Sequence, residues 1–258
     1  MSNKSVAFFE RGTTSPRKKI VQHIMVKDNG TLRKEIENII FNIWNPLTEE
    51  EQNEISNNLT IETFDKNQYI YRENEVPTSI KCLISGKAKI CKNGINGRDQ
   101  ILRTIRPKEM FAFRAYFAHD DYLTSTMSLE RSVIASIPME LVVKLMHNNN
   151  HVCMEFLRHL AVELGKADCR TINLTQKHIR GRLADSLLTL KERYGLEEDG
   201  YTISIFLSRE ELANMSNMTT SNAIRTLSAF ANEKIIAIDG RKIKIINEAE
   251  LKHISDNE

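Results

Sequence analysis

The chain has 258 residues, 27% of them charged and 41% hydrophobic, with 36 Lys and Arg against 34 Asp and Glu. That is the composition of an ordinary soluble globular chain, long enough for one or two cores, and a net charge of +2 argues neither for nor against a nucleic-acid partner. No apolar run approaches the ~20 residues of a membrane span, and the opening MSNKSVAFFERG lacks the apolar stretch of a secretory leader, so a cytoplasmic protein without membrane contact is expected.

Residues 1–31 read as a basic, flexible arm broken at Ser15-Pro16: residues 1–34 hold eight Lys or Arg against Glu10 and Asp28. From Leu32 to Trp44 an apolar stripe at Ile36, Ile39, Ile40 and Ile43 predicts a helix. Thr48 and Glu51 form a capping box that opens a second helix through Ile55. Residues 59–137 then change to short alternating runs. LTIETF, QYIYR, IKCLI, KAKICK and DQILRTI read as strands, with two more around Tyr122–Ser128 and Ser132–Ile137. Breaks fall at Asp65-Lys66-Asn67, Pro77, Gly86, Asn93-Gly94 and Gly97. The spacing favours an antiparallel β-roll of jelly-roll type, and residues 32–138 are assigned to it as a domain whose interior can hold a ligand.

Pro138 suits the first turn of a long helix running to about Leu174. In it Leu141, Val142, Leu145 and Met146 can cover the roll. Met154, Leu157, Ala161 and Leu164 continue in register to Asp168 and Thr171 as a short coiled-coil seam, so residues 139–174 are read as a dimerisation helix. A further helix, from about Gln176 to Tyr194, presents Ile179, Leu183, Leu187, Leu190 and Tyr194, and leads through Gly195 and Asp199-Gly200 into the last segment.

Residues 208–246 carry the most informative pattern. Ser208 and Glu211 form a capping box for a helix through Met215, with Leu212 and Met215 inward and the small Ala213 where a second helix approaches. Asn217 suits a left-handed turn, and Thr219 can cap a helix with a buried stripe at Ala223, Ile224, Leu227 and Phe230 and a polar face at Ser221, Arg225 and Ser228. Ile236 and Ile238, then Asp239-Gly240, then Ile243 and Ile245 predict a β-hairpin. This is the order of a winged helix-turn-helix, and residues 175–258 are assigned to such a DNA-binding domain, making the fold class α+β. Residues 178–258 hold eleven basic and thirteen acidic side chains, so phosphate contacts must come from local groups. The candidate DNA contacts are Arg209, Thr219, Thr220, Ser221, Asn222, Arg225, Arg241 and Lys242, with Arg225 the candidate for a two-bond contact to a base edge. An α-hairpin packed beside a β-hairpin with no DNA role is the alternative.

The cysteines Cys82, Cys91, Cys153 and Cys169 lack a C-x-x-C pair and read as small buried apolar residues; no metal site is expected. A metal-dependent enzyme would gather several His in the roll, and residues 59–137 contain only His119, so no catalysis is expected.

A roll, a long helix and a carboxy-terminal winged helix-turn-helix, in that order over about residues 36–250, resemble the CRP/FNR superfamily of bacterial transcription regulators. The resemblance is most specific in ISGKAKICKNGINGRDQI, where the family's hairpin glycine is Gly86, and in LSREELANMSNMTTSNAIRTLSAF; MFAFRAYFA and SNAIRTLSAF look especially like the branch common in Bacteroidetes. It implies a homodimer on a pseudo-palindromic operator in double-stranded DNA, RNA polymerase as a partner, and a small-molecule effector in the roll. The positions matching the Gly-Glu and Arg-Ser/Thr pairs of cyclic-AMP-binding members are Ala112-Phe113 and Tyr122-Leu123, so the phosphate anchor is missing and cyclic AMP is not expected to be the signal. Candidate pocket residues are Phe113, Arg114, Tyr122 and Thr124. Oxygen-sensing members carry amino-terminal cysteines, and residues 1–81 have none. No cofactor is expected; a haem- or redox-responsive member is the alternative, with His119, His147, His151, His159, Cys82 and Cys91 the available ligands, and a small-molecule-binding regulatory module without DNA binding is another. Thr220 and Ser221 replace the family's usual Arg and Glu in the recognition helix while Arg225 matches its later Arg, so the operator should differ from that of cyclic-AMP-dependent members.

Overall fold

The computed structural model describes residues 24–25, 30–94 and 99–258. Residues 1–23 and 26–29 of the basic arm, and the turn at Gly97, lie outside the described residues. Two helices come first, α1 (Gly30–Ile43) and α2 (Glu49–Asn58). The capping box of α2 closes as its sequence requires: the Glu51 amide donates to the Thr48 hydroxyl at 3.2 Å and the Thr48 amide to the Glu51 carboxylate at 2.8 Å.

The roll is two antiparallel sheets. One runs β1 (Ile24–Met25), β2 (Thr60–Phe64), β9 (Ser132–Pro138), β4 (Ser79–Ser85), β7 (Glu109–Phe111); the other runs β3 (Tyr69–Tyr71), β8 (Ser125–Ser128), β5 (Ala88–Asn93), β6 (Asp99–Ile105). Alternation along β4 sends Ile80 and Cys82 toward the helices and Leu83 into the roll, where Phe64, Ile105, Phe111 and Ile134 meet it. The β4–β5 turn needs its glycine: Gly86 has φ +88°, and a Cβ there would lie 2.6 Å from the Arg131 carbonyl oxygen. Between β7 and β8 the chain makes a single turn of helix, α3 (Arg114–Phe117).

The single long helix expected from Pro138 to Leu174 is instead two, α4 (Met139–Asn148) and α5 (Asn150–Gln176), and Pro138 ends β9 rather than lying in the first turn. Asn149 causes the break. Its backbone is extended, its side-chain oxygen accepts from the His151 amide at 3.1 Å, and its side-chain nitrogen donates to the Pro46 carbonyl at 3.0 Å and to Glu51 at 3.1 Å. An Asn that caps a new helix while holding the α1–α2 loop offers more hydrogen bonds than it could make inside a helix. So α4 buries Val142 and Leu145 on the roll, Val152 and Phe156 at the start of α5 complete that core with Trp44, and the rest of α5 runs on. Its 27 residues span about 40 Å.

The remainder forms a second core from α6 (Ile179–Tyr194), α7 (Arg209–Met215), α8 (Thr220–Asn232), the hairpin β10 (Ile236–Asp239) and β11 (Lys242–Ile245), and a closing helix α9 (Glu248–Asn257). Leu183, Leu187, Leu190, Leu212, Leu227, Phe230, Leu251 and Ile254 meet inside it. No helix among the described residues is long and apolar enough to cross a membrane.

Candidate nucleic-acid interface and effector cavity

The helix-turn-helix is built by its caps. Ser208 and Glu211 exchange both capping-box bonds at 3.1 and 2.8 Å, Asn217 takes the left-handed turn at φ 49°, and the Thr219 hydroxyl accepts from the Asn222 amide at 3.2 Å. One expectation needs correction: Ile224 is 49% exposed, and Thr226 takes its place in the buried stripe with Ala223, Leu227 and Phe230. At 100° per residue, a stripe through 223, 226, 227 and 230 leaves position 224 on the same side as Ser221, Arg225 and Ser228. The outer face of α8 is therefore polar with one isoleucine on it. Arg225 is exposed there, and no ion pair or hydrogen bond engages it among the described residues.

In the wing, Asp239 pairs with Lys242 across Gly240, at φ 55°, and Arg241, both exposed at the tip. Arg209 is placed differently from a free phosphate ligand: its guanidinium donates to the Gly240 carbonyl at 2.8 Å and fastens the start of α7 to the wing. Lys242 is exposed, with its ammonium 5.8 Å from the Phe206 ring. Thr220 and Ser221 are exposed at the first turn of α8, and Thr219 and Asn222 are half-buried in the cap.

On α5, Met154, Leu157, Ala161, Leu164, Asp168 and Thr171 are all exposed and lie along one stripe. The apolar side chains of α4, by contrast, face the roll.

A cavity of about 370 Å³ opens between the roll and α5, and Phe113, Arg114, Tyr122 and Thr124 all line it. Ala112, which stands where the resemblance puts a glycine, keeps the left-handed backbone at φ 71°, a conformation that costs a residue with a Cβ about 1 kcal/mol. The Tyr122 hydroxyl donates to the Ala112 carbonyl at 3.1 Å and its ring stacks on Tyr71 at 3.9 Å. Burial pushes the pKa of both phenols up. Phe113 turns toward α5 and meets Phe156 edge-on at 5.1 Å and His159 at 5.6 Å. Of the residues named as haem ligands, His159 alone lines this cavity, and burial lowers its pKa.

Sequence reasoning missed the cavity's charged wall. Arg103 pairs with Glu109 and, at 3.3 Å, with Glu163 of α5. Burial alone would raise the Glu163 pKa, but Arg103 and Lys166 outweigh it and hold the carboxyl below its usual range. Glu109 also accepts from Arg193 of α6 at 2.6 Å, and Arg193 donates to the Thr104 carbonyl at 2.7 Å. An unbroken set of charges thus runs from the cavity wall to the helix-turn-helix domain. Further contacts join the two domains. Tyr194 donates to the Ile105 carbonyl at 3.2 Å, Leu129 of the roll packs into the winged domain's core, and the buried Lys89 meets Glu211 at 3.0 Å. Glu211 is therefore both the closing residue of a helix cap and the partner of a roll lysine. Burial works to raise its pKa, while the Ser208 amide and Lys89 together bring it below the usual carboxylate range.

Comparisons with known proteins agree with this architecture. Residues 61–149 match the cyclic nucleotide-binding domain and residues 181–254 the Crp-like helix-turn-helix domain, together more than half of the chain. The CRP-like cAMP-activated global transcriptional regulator of Mycobacterium tuberculosis is 24% identical over 70% of this chain and 82% of its own length. The anaerobic regulatory protein of Bacillus subtilis is 25% identical over 68% of this chain and 74% of its own. Among solved structures, FixK2 from Bradyrhizobium japonicum superposes with a TM-score of 0.69 at 21% identity, over 76% of this chain and 96% of that one. A CRP/FNR-family transcriptional regulator from Thermus thermophilus gives 0.64 at 20% identity, over 76% and 98%. With both domain types in the family's order, an exposed recognition helix and regulators as its relatives, the chain belongs to the CRP/FNR superfamily of DNA-binding transcription regulators.

Proposed function

We propose that the chain acts as a cytoplasmic homodimer that recognises a pseudo-palindromic operator, contacts RNA polymerase, and answers to a small molecule other than cyclic AMP. The observation that carries this is the stripe on α5: Met154, Leu157 and Leu164 are large apolar side chains left in water on a helix whose neighbour α4 hides its own. Exposed apolar residues in coiled-coil register along a long helix are best satisfied by a second copy. Two copies related by a two-fold axis would present two α8 helices, each with an unengaged Arg225, to half-sites one helical turn apart.

The signal would act on the angle between those helices. A ligand in the cavity touches the wall that includes Arg103 and Glu163, and Arg103 shares Glu109 with Arg193 of α6. Whichever ligand favours one arrangement of Arg103 over another biases the seat of the DNA-binding domain, which is a population shift between two states. Cyclic AMP is disfavoured because Phe113 and Tyr122 match the positions of the family's Glu and Arg, and Tyr122 is already stacked and hydrogen-bonded in place. No resident cofactor is part of this proposal, and no catalytic step.

Native mass spectrometry of the purified chain tests the dimer: a species of twice 29.7 kDa is expected, bound to one duplex when an operator is present. A monomer that binds DNA one chain at a time would overturn it.

A further inference from the structure

We infer that the cavity between the roll and α5 takes a small organic acid with an apolar body, its negative charge clasped between Arg114 and Arg170. This rests on the ligand-responsive regulator proposed above and names the chemistry of its signal.

Three arginines line the cavity, and they are not equivalent. Arg103 is committed to Glu109 and Glu163. Arg114 and Arg170 have neither an ion pair nor a hydrogen bond among the described residues. Arg170 is also half-buried, and no protein acceptor meets its guanidinium among the described residues. An anion that enters the cavity meets both guanidiniums without displacing a protein partner, Arg114 being exposed and Arg170 half-buried. The carboxylate whose charge acts on Arg170, Glu163, is held by Arg103 and by Lys166 at 3.1 Å.

The two free guanidiniums come from different elements, Arg114 from α3 of the roll and Arg170 from the far half of α5. One carboxylate or phosphate group has acceptors enough for both, and paired N–H···O bonds to an anion are what guanidinium geometry favours. An anion bridging them would tie the roll to the long helix, which gives the ligand a reason to change how α5 sits.

The rest of the cavity specifies the body of the ligand. Ile90, Phe111 and Leu160 form apolar walls, and the stacked Tyr71 and Tyr122 present ring surface. A volume of about 370 Å³ lies at the small end of the about 300–1,000 Å³ typical of small-molecule sites. Charge joined to hydrocarbon is the complement of such a lining. Polar groups set against Ile90, Phe111 or Leu160 would find no partner there.

The test uses the full-length chain and simple probes. Octanoate, 3-phenylpropionate and hexyl phosphate are each compared with octanamide, 3-phenylpropanamide and hexanol by calorimetry and by thermal melting at about 10 mM. At least one anion should bind saturably and raise the melting temperature, with its uncharged counterpart at least about tenfold weaker. Arg114→Gln and Arg170→Gln should each weaken that anion about tenfold, whereas Lys252→Gln, on α9 outside the cavity, should not. Binding of the carboxylates alone, of the phosphate alone, or of both supports the proposal and identifies the head group. Equal binding of acids and their neutral counterparts to the wild-type chain overturns it, and needs no variant to fold. So does an absence of melting shift with every anion, or anion binding unchanged in both Arg variants. Dimerisation is measured on the ligand-free chain and DNA selection with and without the anions: if both hold and no anion binds, the organic-acid inference alone falls, and if the chain neither dimerises nor selects DNA in either state, the regulator proposal falls.

Discussion

Leu157→Asp is the sharpest perturbation of the proposed dimer. Met154, Leu157 and Leu164 are 54%, 59% and 64% exposed. Full burial of such a side chain contributes about 1.5–3 kcal/mol, so the exposed half of each leaves roughly 1 kcal/mol still to gain. Two copies of the stripe bring about 6 kcal/mol of apolar drive to a shared seam. Substituting Asp removes about 2 kcal/mol of that from the pair, and adds the desolvation of two carboxylates in one seam, about 2 kcal/mol or more even with partial hydration. A total near 4 kcal/mol raises the dimer dissociation constant about a thousandfold. Because Leu157 touches solvent in the single chain, the monomer should remain folded, which far-ultraviolet circular dichroism would verify. Sedimentation velocity across a concentration series then reads the association directly. A variant whose dimer constant stays within about tenfold of wild type would refute the seam and the energetics drawn from it.

Arg225→Ala should cost about 1–3 kcal/mol on the true operator and relax selectivity at one position per half-site, whereas Lys242→Ala should weaken all duplexes alike and lower the salt slope by about one unit. Competition assays in which Arg225→Ala weakens specific and random DNA equally would make Arg225 a phosphate contact. Glu109→Gln keeps the shape but removes the charge shared by Arg103 and Arg193; a loss of about 1.5–3 kcal/mol is expected in urea unfolding followed by the single tryptophan, Trp44, together with a weaker response of DNA affinity to any cavity ligand. An unchanged midpoint would show that the shared carboxylate does not couple the domains. Cyclic AMP should neither bind at micromolar concentration in calorimetry nor alter DNA affinity, and a micromolar dissociation constant coupled to DNA binding would reverse the assignment.

Much of the fold was legible because its signals are local. Both capping boxes, the left-handed Asn217, the hairpin glycine Gly86 and the change of period after Lys234 each depend on residues a few positions apart. Expectation and structure part where one local signal competes with another. Apolar periodicity runs straight through Asn149, and only the reach of its side chain to Pro46 and Glu51 turns one helix into two. Hydrophobicity alone puts Ile224 in the core, although the angular position set by Ala223, Leu227 and Phe230 places Thr226 there. Helix α9 carries only a short signal, the Asn247 cap that accepts from the Glu250 amide and the shared face of Leu251 and Ile254. The site divides in the same way. Phe113, Arg114, Tyr122 and Thr124 were accessible from one stretch of chain, whereas Arg103, His159, Glu163 and Arg170 join them only when α5 crosses the open end of the roll. Arg209 looked like a free cation because nothing near it in the chain suggests the wing carbonyl of Gly240 as its partner.

Selection of bound duplexes from a random-sequence pool by the purified full-length chain addresses sequence-specific recognition by a dimer in one measurement. The expected result is a pseudo-palindrome with half-site centres about 10 bp apart, or a small multiple of that spacing, whose enrichment disappears with Leu157→Asp and whose information at one position per half-site drops with Arg225→Ala. An unenriched pool, or an asymmetric motif that Leu157→Asp selects as well as the wild-type chain does, would contradict it.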